Sequence, residues 1–194
     1  RPAPLYVSDQ DDRGVIRAAH DLGADLQRVT GAAPAVSSTG VPSGQPFVIV
    51  GTLGRSPVID RLVREKKLDA SGLAGKWEAF VNQVIDSPLP GVSRALVIAG
   101  SDRRGTIYGI YDLSSEIGVS PWYWWADVPT RHQTDLYVAA GRRASGKPAV
   151  KYRGIFINDE APAFSGWTRE KFGGGNDLVY EKMFELILRM KGNY

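Results

Sequence analysis

Two short runs without a polar residue, Phe47-Val48-Ile49-Val50 and Ala95-Leu96-Val97-Ile98-Ala99, constrain this chain more than any other feature. Each is too short for a helix and suits a buried strand. Helical patterns stand between and around them. Ile16, Ala19, Leu22, Leu26 and Val29 recur at spacings of three and four, which places them on one face of a helix that Thr30-Gly31 stops. Pro57 sits near the start of a second helix whose Val58, Ile59, Leu62 and Val63 face inward. Arg103 to Ile117 reads as a third, with Ile107, Ile110, Tyr111 and Leu113 as its inward stripe and Gly118 as its cap. Leu5 to Ser8 reads as a short strand, with Ser8 or Asp9 capping the helix after it. Glu78 to Ile85 alternates as a strand that Pro88 and Pro90 close. Residues 32–46 read as a loop and Asp135 to Ala139 as one more strand. Strands alternating with helices make residues 1–145 a small layered α/β domain.

The 194 residues have room for that domain and part of another. No apolar run approaches the ~18 residues of a membrane span, so no membrane is expected as a partner. Lys and Arg number 24 against 21 Asp and Glu, mixed along the chain instead of grouped into a basic stripe, which argues against nucleic acid. With no cysteine there is neither a disulfide nor a thiolate metal site. The opening Arg1-Pro2-Ala3-Pro4 carries no charged n-region or apolar h-region and leaves a signal peptide undecided.

Residues 141–148 are polar with Gly and Pro and read as a linker. Beyond it, Val150 to Ile157 is strand-like, and Asn176 to Lys191 is helical with Tyr180, Met183, Phe184, Ile187 and Leu188 on one side. One βα unit cannot bury its own apolar face, so residues 146–194 are incomplete without neighbouring structure. Between Pro121 and Pro129, Trp122, Tyr123, Trp124 and Trp125 crowd together. They read as a packed wedge between domains, with a ring bordering a carbohydrate site as the alternative.

Three segments bear on chemistry. Gly100 to Gly105 follows a strand and opens a helix, where backbone N–H groups can cradle a phosphate. It continues Thr106-Ile107 instead of Lys and Ser or Thr, so a tight strand-to-helix turn is the better reading. His20 and His132 have no metal-ligand partner at recognisable spacing, and no metal is expected. The most informative stretch is Lys151 to Pro162, a strand ending in Asn158, Asp159 and Glu160. In parallel α/β folds ligands bind at the carboxyl ends of strands, where these groups can hydrogen-bond sugar hydroxyls or serve acid–base chemistry. Neighbouring strand residues point to opposite sides, so Asp159 and Glu160 form no catalytic pair unless the backbone turns sharply. Capping and salt-bridge duty at a loop entrance is the competing reading.

The segment Lys151 to Pro162, with Gly166-Trp167, Arg169 to Gly174 and the helix through Asn193-Tyr194, closely resembles the glycoside hydrolase family 115 xylan α-1,2-glucuronidases. Arg104 to Ser114 and Ile117 to Pro129 are similar to the same family, whereas residues 1–95 contribute only a compatible pattern. The resemblance implies an amino-terminal α/β accessory domain, then a catalytic (β/α)8 TIM barrel of which residues 146–194 are the first βα unit. It implies removal of glucuronic acid, or its 4-O-methyl ether, from O2 of xylose in glucuronoxylan or its oligosaccharides, by inversion and without a cofactor. A secreted or periplasmic enzyme suits that polymer, and later domains are expected to support a homodimer.

Inversion needs an acid and a base with carboxyl groups ~6.5–9.5 Å apart, so at least one catalytic carboxylate is expected beyond this chain, along with the remainder of the barrel. These 194 residues alone are therefore expected to be inactive. Asn158, Asp159 and Glu160 are carried over as substrate-facing residues without individual roles, and Trp167 as a sugar platform with packing as its rival. The alternative from another class is a non-catalytic carbohydrate-binding or barrel-supporting domain.

Overall fold

The computed structural model describes residues 2–40, 43–44 and 46–194; Arg1 and, within the 32–46 segment, Val41, Pro42 and Gln45 lie outside them. The chain divides into two units, Arg1–Ala149 and Val150–Tyr194.

The first unit is built on a six-stranded sheet. Its strands are β1 (Leu5–Val7), β2 (Val36–Ser37), β3 (Phe47–Thr52), β4 (Phe80–Asp86), β5 (Arg94–Gly100) and β6 (Arg142–Ser145), in the spatial order β2-β1-β3-β5-β4-β6. Strands β2, β1, β3 and β5 run parallel, while β4 is antiparallel to both β5 and β6. The apolar runs occupy the middle: β3 is buried throughout, and β5 is buried in all but Arg94. Successive side chains leave opposite faces of a strand, so each run feeds two layers. Phe47, Ile49 and Val97 join Tyr6 and Val81 in a core closed by Val58, Ile59 and Leu62 of α2 (Pro57–Arg64). On the other face α1 (Arg13–Thr30) and α3 (Arg103–Glu116) pack together. Fully burying one such side chain contributes about 1.5–3 kcal/mol, which makes these runs the main support of the unit.

Several elements differ from the expectation. Helix α1 begins at Arg13 with Asp12 at its cap position and no capping side-chain bond, instead of starting from Ser8 or Asp9. The Ser8 hydroxyl instead accepts from the N–H of Gln10 at 3.2 Å, and the Asp11 carboxylate reaches across to Thr52, so residues 8–12 form a turn. At the other end Gly31 is left-handed with φ 77°, the stop expected there. Within α1, Ala19, Leu22 and Val29 are buried as expected, joined by Val15 and Ala18, whereas Ile16 and Leu26 are half-buried. Val36 and Ser37, read as loop, extend the sheet beside β1.

The linker reading of 141–148 is also corrected. Arg142–Ser145 pairs with Phe80–Gln83 of β4, and charged residues suit such a strand because they keep an exposed sheet edge from recruiting another chain. Asp135 to Ala139, expected as a strand, forms none; Tyr137 is exposed there, and the edge of β4 belongs to β6.

The second unit holds an extended segment followed by α4 (Ala163–Phe172) and α5 (Asp177–Arg189). Val150 to Ile157 forms no strand, because among the described residues no neighbouring strand pairs with it. Helix α4 was not legible; Gly173, left-handed at φ 78°, ends it. Asn176 caps α5 by accepting from the Leu178 N–H at 3.2 Å. The buried face of α5 carries Val179, Met183, Leu186 and Ile187, while Tyr180 and Phe184, expected on that side, meet at a tilt with ring centres 6.1 Å apart and stay exposed. The fold class is the expected mixed α/β: a sheet domain, then an extended segment and helices in the order of an opening βα unit.

Candidate functional site

Ligands of parallel α/β domains bind where the strands end, so the carboxyl ends of β3 and β5 come first. Here the chain fills that position with its own side chains. The buried Asp11 carboxylate accepts from the Thr52 N–H at 2.7 Å, and the Thr52 and Thr106 hydroxyls share a hydrogen bond of 2.7 Å. Asp102 caps α3, with one carboxylate oxygen accepting from the Gly105 N–H and the other from the Glu78 N–H, both at 2.8 Å. The helix terminus that could have held a phosphate is thereby neutralised by a resident carboxylate. The turn is tight: a Cβ on Gly105 would lie 2.2 Å from the Ala79 carbonyl oxygen. Sequence reasoning identified the turn and missed the network, whose members stand 41 and 54 residues apart and leave no local signature.

In the aromatic segment the rings of Trp124 and Trp125 do not share a plane. Trp122 is 41% exposed and the next three rings are half-buried. Trp124 and Trp125 meet edge to face at 4.9 Å with 82° between their planes, and the Arg28 guanidinium lies 4.4 Å from the centre of the Tyr123 ring. This cation–π contact fastens the segment to the last turn of α1. A groove of about 400 Å³ is lined by Leu26, Val48, Leu96, Leu113 and Leu136, and among the described residues lining it Asp135 alone carries an ionisable side chain. It is too apolar to suggest acid–base chemistry.

In the second unit Asn158, Asp159 and Glu160 are consecutive and exposed, at the end of the extended segment and just before the turn into α4. The capping alternative does not describe them: Pro162 occupies the cap position of α4, and no side chain caps that helix. None of the three takes part in an ion pair among the described residues, so their polar groups face solvent. Trp167 lies in the middle of α4, half-buried, stacked on Phe164 at 6.1 Å and edge-on to Phe172 at 5.5 Å. Packing therefore already engages part of the ring. What the chain presents here is one amide and two carboxylates in solvent, in the stretch just before the helix that carries the aromatic rings, groups able to hydrogen-bond a polyhydroxylated ligand.

A sheet domain followed by an extended segment with a polar tip is the layout expected at the front of a glycoside hydrolase barrel. The comparisons point the same way. Residues 145–194 match Glycosyl hydrolase family 115. Over 99% of its length the chain is similar, with 33% identity and a TM-score of 0.81, to the solved structure of BtGH115A, a family GH115 4-O-methyl-α-glucuronidase with specificity for decorated arabinogalactans. The chain spans 24% of the length of that relative. A weaker likeness covers 98% of the chain and 33% of CpGH84D, with 11% identity and a TM-score of 0.47. Among curated proteins none matches.

Proposed function

We propose that this chain is the amino-terminal part of a family 115 glycoside hydrolase that releases glucuronic acid, or its 4-O-methyl ether, from a plant polysaccharide. The observation that carries the reading is the 33% identity with BtGH115A over 99% of this chain, sheet domain included, which reaches well beyond the family match at 145–194. In this reading residues 146–194 open a (β/α)8 barrel, and Asn158, Asp159 and Glu160 lie on its substrate face. Glucuronoxylan, with the uronate α-1,2-linked to xylose, is the proposed substrate. A second substrate, arabinogalactan carrying the same uronate, is favoured by the stated specificity of BtGH115A. Both have the same sugar to release and differ in the backbone that must be accommodated around it.

Hydrolysis by inversion needs an acid that protonates the leaving oxygen and a base that activates water on the opposite face, ~6.5–9.5 Å apart. Asp159 and Glu160 follow one another in the chain, and that gap is the reason for assigning at least one of the two roles to a carboxylate outside this chain. The exposed amide and carboxylates at 158–160 then bind sugar hydroxyls or supply one partner. The proposed setting is secreted or periplasmic, with a homodimer formed through other domains.

The test is uronate release by the intact parent protein and its Asn158→Ala, Asp159→Asn and Glu160→Gln variants on both polymers. At least one carboxylate variant is expected to lose about 100- to 10,000-fold in kcat if it does proton-transfer work. Unchanged kinetics in all three variants would remove this segment from the site.

A further inference from the structure

The segment carrying Asn158–Glu160 is fastened at its start by an uncommon concentration of bonds on one residue. Helix α5 ends at Arg189 with Met190 at its cap position, after which Lys191 turns left-handed at φ 59°. The Gly192 N–H then bonds back to the Ile187 carbonyl at 2.7 Å and the Lys191 N–H to Leu188 at 3.0 Å, a pair that satisfies free carbonyls of the last turn. The Lys191 carbonyl accepts from Arg153 Nε at 2.9 Å. The same guanidinium donates to the carbonyls of Val150 at 2.7 Å and Lys151 at 3.3 Å. The backbone of Arg153 is taken as well: its N–H donates to Asn193 Oδ1 at 3.0 Å, and its carbonyl accepts from the N–H groups of Asn193 and Tyr194 at 2.7 and 3.0 Å. Asn193 Nδ2 closes the arrangement on the Lys151 carbonyl at 2.8 Å, and the rings of Tyr152 and Tyr194 meet edge to face at 5.9 Å.

Position 154 makes this a register lock as well as a fastening. A Cβ there would lie 1.8 Å from the Tyr194 carbonyl oxygen, so glycine is the residue that fits opposite that carbonyl as it stands. Sliding the segment by one residue would bring Arg153 or Ile155 into the space that Gly154 leaves empty. In an extended chain a slip of one residue also exchanges the sides on which all following side chains emerge. From Tyr152 to Glu160 no helix or turn intervenes to absorb such a slip.

We infer that Arg153 and Asn193 are positioning residues: together with Gly154 they fix the register of the segment and so decide which way Asn158, Asp159 and Glu160 face. This rests on the proposed role of those three residues. Neither Arg153 nor Asn193 touches substrate in this account. Arginine is needed because two nitrogens of its planar fork reach three carbonyls on two stretches of chain, whereas an ammonium group is a single point of contact.

The experiment uses the full-length protein with Arg153→Ala, Arg153→Lys and Asn193→Ala, reading amide hydrogen exchange over 154–160 together with kcat and KM for 4-O-methylglucuronate release. Arg153→Ala and Asn193→Ala are expected to speed exchange in that segment about tenfold or more. They are also expected to lower kcat of the folded enzyme on the order of 100-fold, with a smaller change in KM. Arg153→Lys, which keeps the charge and part of the contact, falls between these variants and the parent. Activity lost only in proportion to the folded fraction, or exchange and kcat equal to the parent's, overturns the inference. If the parent protein releases no uronate from either polymer, the proposed function fails. Exchange then decides the positioning role alone: faster exchange confined to 154–160 supports it, and unchanged exchange rejects it.

Discussion

In Arg1–Ala149 the central strands are sealed on both faces, with every residue of β3 buried. Among the described residues nine large hydrophobics are exposed in Val150–Tyr194, including Phe156 at 90% and Tyr194 at 81%, against four in the larger unit. The two regions have similar building materials, extended segments and amphipathic helices, yet the first buries far more of them and leaves fewer apolar side chains in solvent. A sheet with helices on two faces buries its apolar runs internally, whereas one extended segment with two helices has no second layer on its outer side. Under the proposed function, adjoining barrel structure is what covers these exposed side chains.

That contrast can be broken by separating the regions. Residues 1–149 produced alone are expected to unfold in one cooperative transition, and residues 150–194 alone to show little helix by circular dichroism, since short helices in water are marginal without tertiary packing. A cooperative transition in the smaller piece would contradict the comparison. Phe47→Ala, in the sheet core, is expected to cost about 3–5 kcal/mol in denaturant unfolding of the first unit. Asp11→Ala strips the buried Thr52 N–H of its acceptor and is expected to cost about 1–3 kcal/mol in the same measurement. Phe156→Ala, a change of the same side chain in the other region, is expected to stay within about 0.5 kcal/mol because the ring is in solvent. A cost for Phe156→Ala approaching that of Phe47→Ala would show that the second unit holds a core of its own.

The sheet domain was legible where period and composition agree. Phe47–Val50 and Ala95–Ala99 became its two central strands, and Pro57 and Gly31 marked a helix start and a helix stop. Misreadings fell where pairing, not pattern, decides structure. Arg142–Ser145 is polar enough to pass for a linker and is a strand only because β4 offers an edge, while Asp135–Ala139 has the pattern and no edge to join. In the second unit Gly173 marks the end of α4, but no capping side chain marks its start. The Asn158–Glu160 tip was legible as three consecutive polar residues after an apolar run. Its fastening was not, because Arg153 and Asn193 are 40 residues apart and their side chains bond to backbone groups, which any sequence would supply.

The most direct measurement is a comparison of uronate release from glucuronoxylan and from glucuronate-decorated arabinogalactan by the intact parent protein and by residues 1–194 alone. The account predicts release of glucuronate or its 4-O-methyl ether by the parent on at least one polymer and none by the shorter chain. Release by residues 1–194, or none by the parent on either polymer, would contradict it.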